Sequence, residues 1–208
     1  GEKCELNINE TQDKEIVTQI FTSYPKPIVQ RYKFIEGFDE GILNFQSIKK
    51  NNVSNSVLII DNFKVKKVPI LAKILTLASL QGIADILTGE GIRFTDFEMK
   101  FQLKDGFMNI DDIYAIGPAV SLMMNGYIDQ NNLVSLRGTL VPATTINRTI
   151  SSIPLLGEIL VGRKVGEGVF GVSFKVKGYD GNMKTSVNPI KTLTPRFITR
   201  TLKKLKKN

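Results

Sequence analysis

Residue types that could carry out chemistry are few in this chain, and none is spaced as a catalytic centre requires. The 208 residues include no His and a single Cys, Cys4. The commonest general base and metal ligand of proteins is therefore missing. A lone thiol in a polar N-terminal segment has no His to activate it, and it can form neither an internal disulfide nor a cysteine zinc cluster. The sequence predicts no enzymatic activity, no metal and no cofactor.

A glycine-rich segment, residues 166–172, contains the spacing G-x-G-x-x-G, followed directly by Val172. Protein kinases use this pattern where bare backbone must approach phosphate oxygens. The His-Arg-Asp and Asp-Phe-Gly motifs of kinases are absent from the chain, however. The strand-then-helix context of a dinucleotide-binding loop is also missing. We therefore interpret these glycines as a flexible entry to a strand.

Asp111 and Asp112 form the one adjacent acidic pair on a predicted strand. Two carboxylates could bind a metal or serve glycosidic chemistry. Neighbouring strand residues point to opposite faces, so this pair converges only at a bulge. Because the pair interrupts the apolar alternation of its strand, we predict a bulge or solvated turn here instead of a site.

Alternation of apolar and polar residues from residue 92 onward is the clearest structural signal. It predicts strands over 94–104, 107–116, 120–128, 133–141, 168–177 and 183–187, with a tight hairpin turn at Asp105-Gly106. Extended segments are also predicted over 32–35, 41–48 and 57–68. The predicted fold class is α+β and mostly β: an antiparallel meander with short helices.

Helices are predicted over 13–22, with Asp13 as N-cap, over 69–88, and over 144–161. The 69–88 helix is so apolar that something apolar must cover it. One continuous domain is favoured. Its parts are a polar N-terminal segment with a short helix over 1–30, a β-rich domain over 31–188 with helical insertions at about 69–88 and 144–161, and a basic C-terminal helix over 189–208.

The apolar positions of the alternating segments would line one side of the sheet. They are Phe97, Met99, Phe101, Leu103, Val120, Leu122, Met124, Val134, Leu136, Leu140, Phe170, Val172, Phe174 and Val176. Two interpretations stay open. The face is either a core covered by the 69–88 and 144–161 segments, which periodicity alone favours, or in part an open hydrophobic trough. Open apolar patches of that size mark binding sites.

The formal charge of +8 lies entirely in the last 27 residues, which hold eight basic residues and no acid. A helix begun at Pro195 places Phe197, Ile198, Leu202 and Leu205 on one arc, with most of the basic residues opposite. That pattern is typical of contact with an anionic membrane surface. The predicted membrane-contact residues are Arg196, Phe197, Arg200, Lys203, Lys204, Lys206 and Lys207.

Two other interpretations of this helix stay open. The helix could pack on the domain with its basic face in solvent, or it could bind RNA nonspecifically. The remainder of the chain is electrically balanced, so it lacks the broad basic footprint of a nucleic-acid-binding domain. Nucleic acid is therefore not the expected partner. No stretch of about 20 apolar residues occurs. The chain starts with Gly and shows no signal peptide, so we expect a processed chain or a fragment. If the chain is linked to a membrane, we expect that the anchor lies outside it or that the contact is peripheral.

Several segments, in order along residues 55–200, resemble one protein family. They are Val68-Pro-Ile-Leu-Ala-Lys-Ile-Leu-Thr-Leu-Ala-Ser-Leu-Gln-Gly-Ile-Ala-Asp-Ile-Leu-Thr-Gly-Glu-Gly-Ile-Arg-Phe, Leu136-Arg-Gly-Thr-Leu-Val-Pro-Ala, Ile153-Pro-Leu-Leu-Gly, Gly166-Glu-Gly-Val-Phe-Gly-Val-Ser-Phe-Lys-Val-Lys-Gly and Met183-Lys-Thr-Ser-Val-Asn-Pro-Ile-Lys-Thr-Leu-Thr-Pro-Arg-Phe. They resemble the C-terminal region of the AsmA-like/YhdP-type envelope proteins of Gram-negative bacteria, which are related to TamB-like bridge-type lipid transfer proteins.

The resemblance implies a curved sheet of the repeating β-groove type, with an apolar inner face that holds phospholipid acyl chains. It also implies a location in the periplasm and cell envelope, an inner-membrane anchor upstream, and contact with the upstream segment or a separate chain of the same envelope protein. The expected function is noncatalytic lipid handling in intermembrane transport. The alternative is an adaptor with a closed core that serves outer-membrane protein assembly.

Overall fold

The computed structural model of the protein describes residues 2–31, 37–142 and 171–190. Residues 189 and 190 are described through their backbone alone. The strands within these ranges are β1 (Cys4–Glu10), β2 (Ile16–Thr22), β3 (Asp39–Lys50), β4 (Val53–Val65), β5 (Ile92–Lys104), β6 (Phe107–Ile116), β7 (Val120–Ile128), β8 (Val134–Pro142), β9 (Gly171–Tyr179) and β10 (Asn182–Ile190). The helices are α1 (Lys26–Gln30), α2 (Pro69–Leu77) and α3 (Gln81–Thr88).

The ten strands form one open antiparallel sheet in which every strand pairs with its neighbours in sequence. The predicted α+β, mostly β meander is therefore confirmed. Its tightest connections are two-residue turns, as at Asp105-Gly106, where φ is +48° and +78°. Positive φ at both central residues defines the turn type whose twist suits a β-hairpin, and Gly at the second position adopts it without steric cost. The hairpin predicted at this dipeptide is confirmed.

The N-terminal prediction was wrong. Residues 4–22 form strands β1 and β2 instead of a frayed segment followed by a helix over 13–22. Five of the seven β2 residues are β-branched, which disfavours a helix because χ1 is restricted against the preceding turn. Asp13 lies in the turn between the strands, and the adjacent Lys14 has φ +58°. The short helix of this region is α1, which begins after Pro25.

The predicted 69–88 helix is also interrupted, giving α2 and α3. Ser79 between them has φ +60°. Its N–H donates to the Thr76 carbonyl, and the Leu80 N–H donates to the Leu75 carbonyl, at 3.0 and 2.9 Å. These two bonds form a Schellman motif, which closes a helix by satisfying its last carbonyls. Because of the break, α2 and α3 can each turn an apolar face toward the sheet. One straight helix would present only a single apolar face.

Helices α2 and α3 connect β4 to β5, yet α2 also contacts β10. In a flat sheet β5 and β10 would be about 24 Å apart, at about 4.8 Å per strand, whereas nine helical residues extend only about 14 Å. The sheet must therefore curve around the helices. Leu75 and Leu87 are fully buried and share one core cluster with Phe94, Leu140 and Phe174 of the sheet.

Several predicted elements lie outside the described residues: the extended segment over 32–35, the helix over 144–161, and the C-terminal helix from residue 191 onward. The seven predicted membrane-contact residues, between Arg196 and Lys207, belong to this last group. Strand β10 continues through Ile190, so the first two residues of the helix predicted over 189–208 are extended.

Candidate functional site

The predicted apolar positions lie on one face of the sheet, which we call the inner face. In an antiparallel ladder, directly paired residues point to the same side, so the register assigns each side chain to a face. Phe101 pairs with Ile110, Leu136 pairs with Val176, and Ile110 and Leu136 both pair with Gly126. The same reasoning places thirteen of the fourteen predicted residues on this face, and Phe170 lies outside the described residues.

Four rows of paired residues run across the inner face from β4 to β10, numbered from the end nearest the helices. Row 1 is Ile60, Phe97, Ala115, Leu122, Leu140, Val172 and Pro189. Row 2 is Leu58, Met99, Ile113, Met124, Gly138, Phe174 and Val187. Row 3 is Ser56, Phe101, Ile110, Gly126, Leu136, Val176 and Thr185. Row 4 is Ser54, Leu103, Met108, Ile128, Val134, Gly178 and Met183.

A bulge in β6 keeps these rows continuous. The register shifts between Lys100 and Phe101, which pair with Asp112 and Ile110, so Asp111 is the extra residue. Ile110 and Ile113 thereby point to the same face although they are three residues apart. The bulge predicted at the acidic pair is confirmed, and its effect is to keep both carboxylates off the inner face. The described residues contain no cluster of three or more His, Cys, Asp or Glu side chains that could hold a metal ion.

The burial of inner-face side chains decreases from row 1, next to the helices, to row 4. Leu140 and Val172 in row 1 are 0% and 1% exposed, whereas Leu103 in row 4 is 37% exposed. Leu6 and Ile8 of β1, which continue rows 2 and 3 through β2 and β3, are 60% and 61% exposed. The helices therefore cover one end of the face, and coverage decreases toward the hairpin turns and toward the β1 edge.

Between these extremes half-buried side chains alternate with buried ones, such as Ile110 and Val176 of row 3, which are 3% and 2% exposed. Phe45 of β3 and Phe101 of β5 stack across β4 with ring centroids 6.5 Å apart. They meet beside Ser56, whose hydroxyl donates to the Ser47 hydroxyl at 2.9 Å. Because the two hydroxyls satisfy each other, this part of the face needs no other hydrogen-bond partner. Met99 and Met124 are half-buried in row 2, and their flexible side chains suit an adaptable apolar surface.

Glycines permit close approach of strands on the inner side. A Cβ placed on Gly138 would lie 2.6 Å from the ring of Phe174 and 2.7 Å from Cβ of Met124, and it would also meet the Met123 carbonyl oxygen. One placed on Gly126 would lie 2.9 Å from the Leu136 Cα. No side chain fits at those distances. The two glycines therefore let β7, β8 and β9 curve tightly, and Phe174 covers the gap at Gly138.

The inner face from β4 to β10 is electrically neutral. Rows 1 to 4 contain no ionisable side chain. Clear pKa shifts occur at Lys26 and Asp39, which form a solvent-accessible ion pair, 3.1 Å between Nζ and Oδ1, away from these rows. The hydrogen bond and the charge of Lys26 lower the pKa of Asp39, and those of Asp39 raise the pKa of Lys26. The chemistry available on the face is therefore apolar contact.

Sequence reasoning missed part of this surface. Residues from five further strands extend it: Leu58 and Ile60 of β4, Ile110 and Ile113 of β6, Ile20 of β2, Phe45 of β3, and Met183 and Val187 of β10. Alternation of apolar residues was visible in β3 and β10. In β4 and β6 it was disguised by a change of phase, at Asn62 with φ +53° in β4 and at the bulge in β6.

No protein-family model, curated protein or solved structure matches the chain. The resemblance to AsmA-like envelope proteins therefore stays a prediction from the sequence motifs. No helix of the described ranges is both long enough and apolar enough to cross a lipid bilayer.

Proposed function

We propose that this protein is a noncatalytic lipid-handling module, and that its inner face holds phospholipid acyl chains. The observation that carries the proposal is the set of four neutral rows, which continue across seven strands and become more exposed away from the helices. Following the sequence resemblance, we propose a place in the Gram-negative cell envelope, as the C-terminal part of an AsmA-like intermembrane transport protein. On this proposal, the movement of lipid between membranes would require the membrane anchor and the upstream segment of that larger protein.

The dimensions of the inner face suit an acyl chain. Six strand spacings from β4 to β10 give a width of about 29 Å before curvature, and four rows along the strands give about 20 Å. The hydrocarbon part of one bilayer leaflet is about 15 Å thick. Transferring a 16-carbon chain to water costs roughly 12 kcal/mol, at about 0.8 kcal/mol per CH₂. A continuous apolar face removes most of that cost without a catalytic residue.

Site-specific photocrosslinking tests the proposal at single residues. Benzoylphenylalanine replaces Phe101 of the inner face in one variant and Gln102, its neighbour on the outer face, in another. After purification without detergent, we expect lipid adducts at position 101 and none at position 102, as read by mass spectrometry of the intact protein. Equal labelling at the two positions, or no adduct at either, would contradict the proposal.

A charge substitution adds a quantitative test with a matched control. Phe101→Glu places a carboxylate among acyl chains, whereas Gln102→Glu places the same charge in solvent. Both positions lie in β5, and Phe101 is half-buried whereas Gln102 is exposed. We expect Phe101→Glu to reduce co-purified phospholipid severalfold and Gln102→Glu to leave it unchanged. Circular dichroism serves to check that both variants fold. If Phe101→Glu folds and keeps its full lipid content, the assignment of acyl-chain binding to the inner face is refuted.

An adaptor function remains the second candidate because row 1 is sealed by α2 and α3. Leu140 and Val172 of that row are inaccessible to any ligand. If rows 2 to 4 were sealed in the same way, the exposed edge strand β1 would be the natural contact for another protein. Protein purified without lipid, together with a partner that protects β1 from hydrogen exchange, would favour this function.

The C-terminal segment is proposed as a membrane contact on sequence grounds. Changing Lys203, Lys204, Lys206 and Lys207 to Glu should abolish binding to anionic vesicles, since each basic residue near such a surface contributes about 1 kcal/mol. Binding that survives the four changes would remove this role from the segment.

A further inference from the structure

A second surface with distinctive chemistry lies on the outer face of β8, β9 and β10. Strands β7 to β10 carry four basic residues and no acidic residue: Arg137, Lys175, Lys177 and Lys184. All four are exposed. Strands β1 to β6, by contrast, contain both acidic and basic residues. The charge balance of the body seen in the sequence therefore conceals a local asymmetry in the sheet.

The register brings these cations together on one face. Arg137 pairs directly with Lys175, and Lys177 pairs directly with Lys184. Paired residues have Cα atoms about 5 Å apart, and residues two apart along a strand are separated by about 7 Å. The four charges thus form a compact staggered array across three strands, with Arg137 on β8, Lys175 and Lys177 on β9 and Lys184 on β10, which we call the basic array. Like charges placed directly opposite each other repel, so the arrangement costs stability unless an anion binds.

No carboxylate neutralises the basic array within the described residues. None of its four members takes part in an ion pair there, and Arg137 Nε instead donates to the Asn125 side-chain oxygen at 3.0 Å. Asp180, in the turn between β9 and β10, is three residues beyond Lys177 and forms no ion pair with the array. Among strand residues the nearest acids are Asp111 and Asp112 on β6, two strands from Arg137 and three from Lys175. The positive charge is therefore directed to solvent.

A groove adjoins the basic array and adds hydrogen-bonding groups. Its volume is about 280 Å³, and its lining includes Arg137 and Lys175 together with Asn125, Thr139 and Ser173. Hydroxyl and amide donors beside two cations are the groups that bind phosphate oxygens. The outer face therefore combines charge, donors and concavity at one place.

We propose that the basic array docks the sheet on an anionic membrane surface, with lipid phosphates seated in the groove. The array lies behind Leu136, Phe174 and Val176, so the same strands present acyl-binding positions on one side and cations on the other. Tyr179, which follows Lys177 on the outer face and is 52% exposed, adds an aromatic side chain of the kind found at membrane interfaces. This docking goes beyond the proposed acyl-chain function and does not depend on the C-terminal segment.

The test measures binding of the full chain to vesicles of equimolar phosphatidylcholine and phosphatidylglycerol, with phosphatidylcholine vesicles as reference. The variant Arg137→Gln/Lys175→Gln removes two charges of the basic array. Lys14→Gln/Lys104→Gln removes two exposed charges elsewhere, in the β1–β2 turn and on the outer face of β5. Because each cation at an anionic surface contributes about a factor of 5 to 6, we expect the first variant to bind about 30-fold more weakly. The control variant should change far less, since distant charges are screened.

Three outcomes would overturn the proposal. Equal losses in the two variants would mean that overall charge alone drives binding. Full displacement from vesicles by glycerol phosphate at constant ionic strength would indicate a site for free phosphate. Tighter, array-dependent binding to RNA than to vesicles would assign the surface to nucleic acid.

Failure of docking and failure of the acyl-chain function are distinguishable. The phospholipid that co-purifies with the array variant reports on the inner face alone, and we expect it to be unchanged. Array-dependent vesicle binding by a protein that contains no lipid would support docking and refute the proposed function. The reverse result, normal lipid content and no effect of the array on vesicles, would refute docking alone.

Discussion

The coverage gradient on the inner face predicts a graded response to one repeated substitution. Leu140, Leu103 and Leu6 lie on this face at decreasing depth and are 0%, 37% and 60% exposed. Replacing each by Ala removes the same atoms from three environments. A series of this kind measures where the face is sealed, which decides between an acyl-binding trough and a closed core.

The expected costs follow from burial. Leu140→Ala leaves a cavity in the sealed core and should cost about 3–4 kcal/mol, within the usual 2–5 kcal/mol range for buried Leu. Leu103 is one-third exposed, and water can fill the space that Ala leaves, so only part of the transfer free energy is lost, about 1 kcal/mol. Leu6 is mostly exposed on the edge strand, and its replacement should cost about 0.5 kcal/mol or less.

Urea unfolding, followed by circular dichroism with unchanged m-values, measures all three free energies of unfolding on one scale. The decisive result is the value for Leu103→Ala. A loss as large as that of Leu140→Ala would show that row 4 is sealed, which would refute the gradient and favour the adaptor function. A loss near 1 kcal/mol leaves row 4 accessible to a ligand.

Three further predictions concern local geometry. Gly138→Ala introduces a Cβ that meets the Met123 carbonyl, so it should lower the free energy of unfolding by about 1–3 kcal/mol; an unchanged melting temperature would contradict this account. Deleting Asp111 removes the bulge yet preserves the alternation of β6, so the protein should still fold, whereas deleting Met123 from the regular strand β7 should prevent folding. In an NMR titration, the pKa of Asp39 should lie below 3.8 and rise toward that value in Lys26→Gln, because the change removes the hydrogen bond and the charge that contribute most to lowering it. The pair stabilises the fold above the unfolded pKa of Asp39, and this contribution is lost as pH falls through the folded pKa.

Much of the sheet could be predicted from the sequence because its signal is local. The strand Phe107–Ile116 is the same in prediction and structure, and the acidic pair within it correctly indicated a bulge. Alternation also identified most of the inner face. A period-two pattern indicates which residues share a face of the sheet. In a meander each strand pairs with its neighbours in sequence, so the order of the strands follows directly from the order of the chain.

Other features depend on contacts that a local pattern does not contain. The segment 13–22 has apolar spacing compatible with a helix, and pairing of β2 with β1 and β3 overrides it. The contact of α2 with β10 follows from curvature, which arises from close approaches such as that at Gly138. The basic array was invisible because Arg137 and Lys175 are 38 positions apart in sequence and become neighbours only through the β8–β9 register.

The lengths of the connections between strands also predict an order of folding. Two, three and five residues link β5, β6, β7 and β8, whereas 26 residues separate β4 from β5 and 28 separate β8 from β9. Loop-closure entropy makes the 26-residue connection costlier than a two-residue turn by about 2 kcal/mol. We therefore expect β5–β8 to fold first, with the β3–β4 and β9–β10 hairpins docking later. Pulse-labelled hydrogen exchange should show this sequence. The inner face from β4 to β10 would then become continuous only at the last docking step, after its central strands have formed.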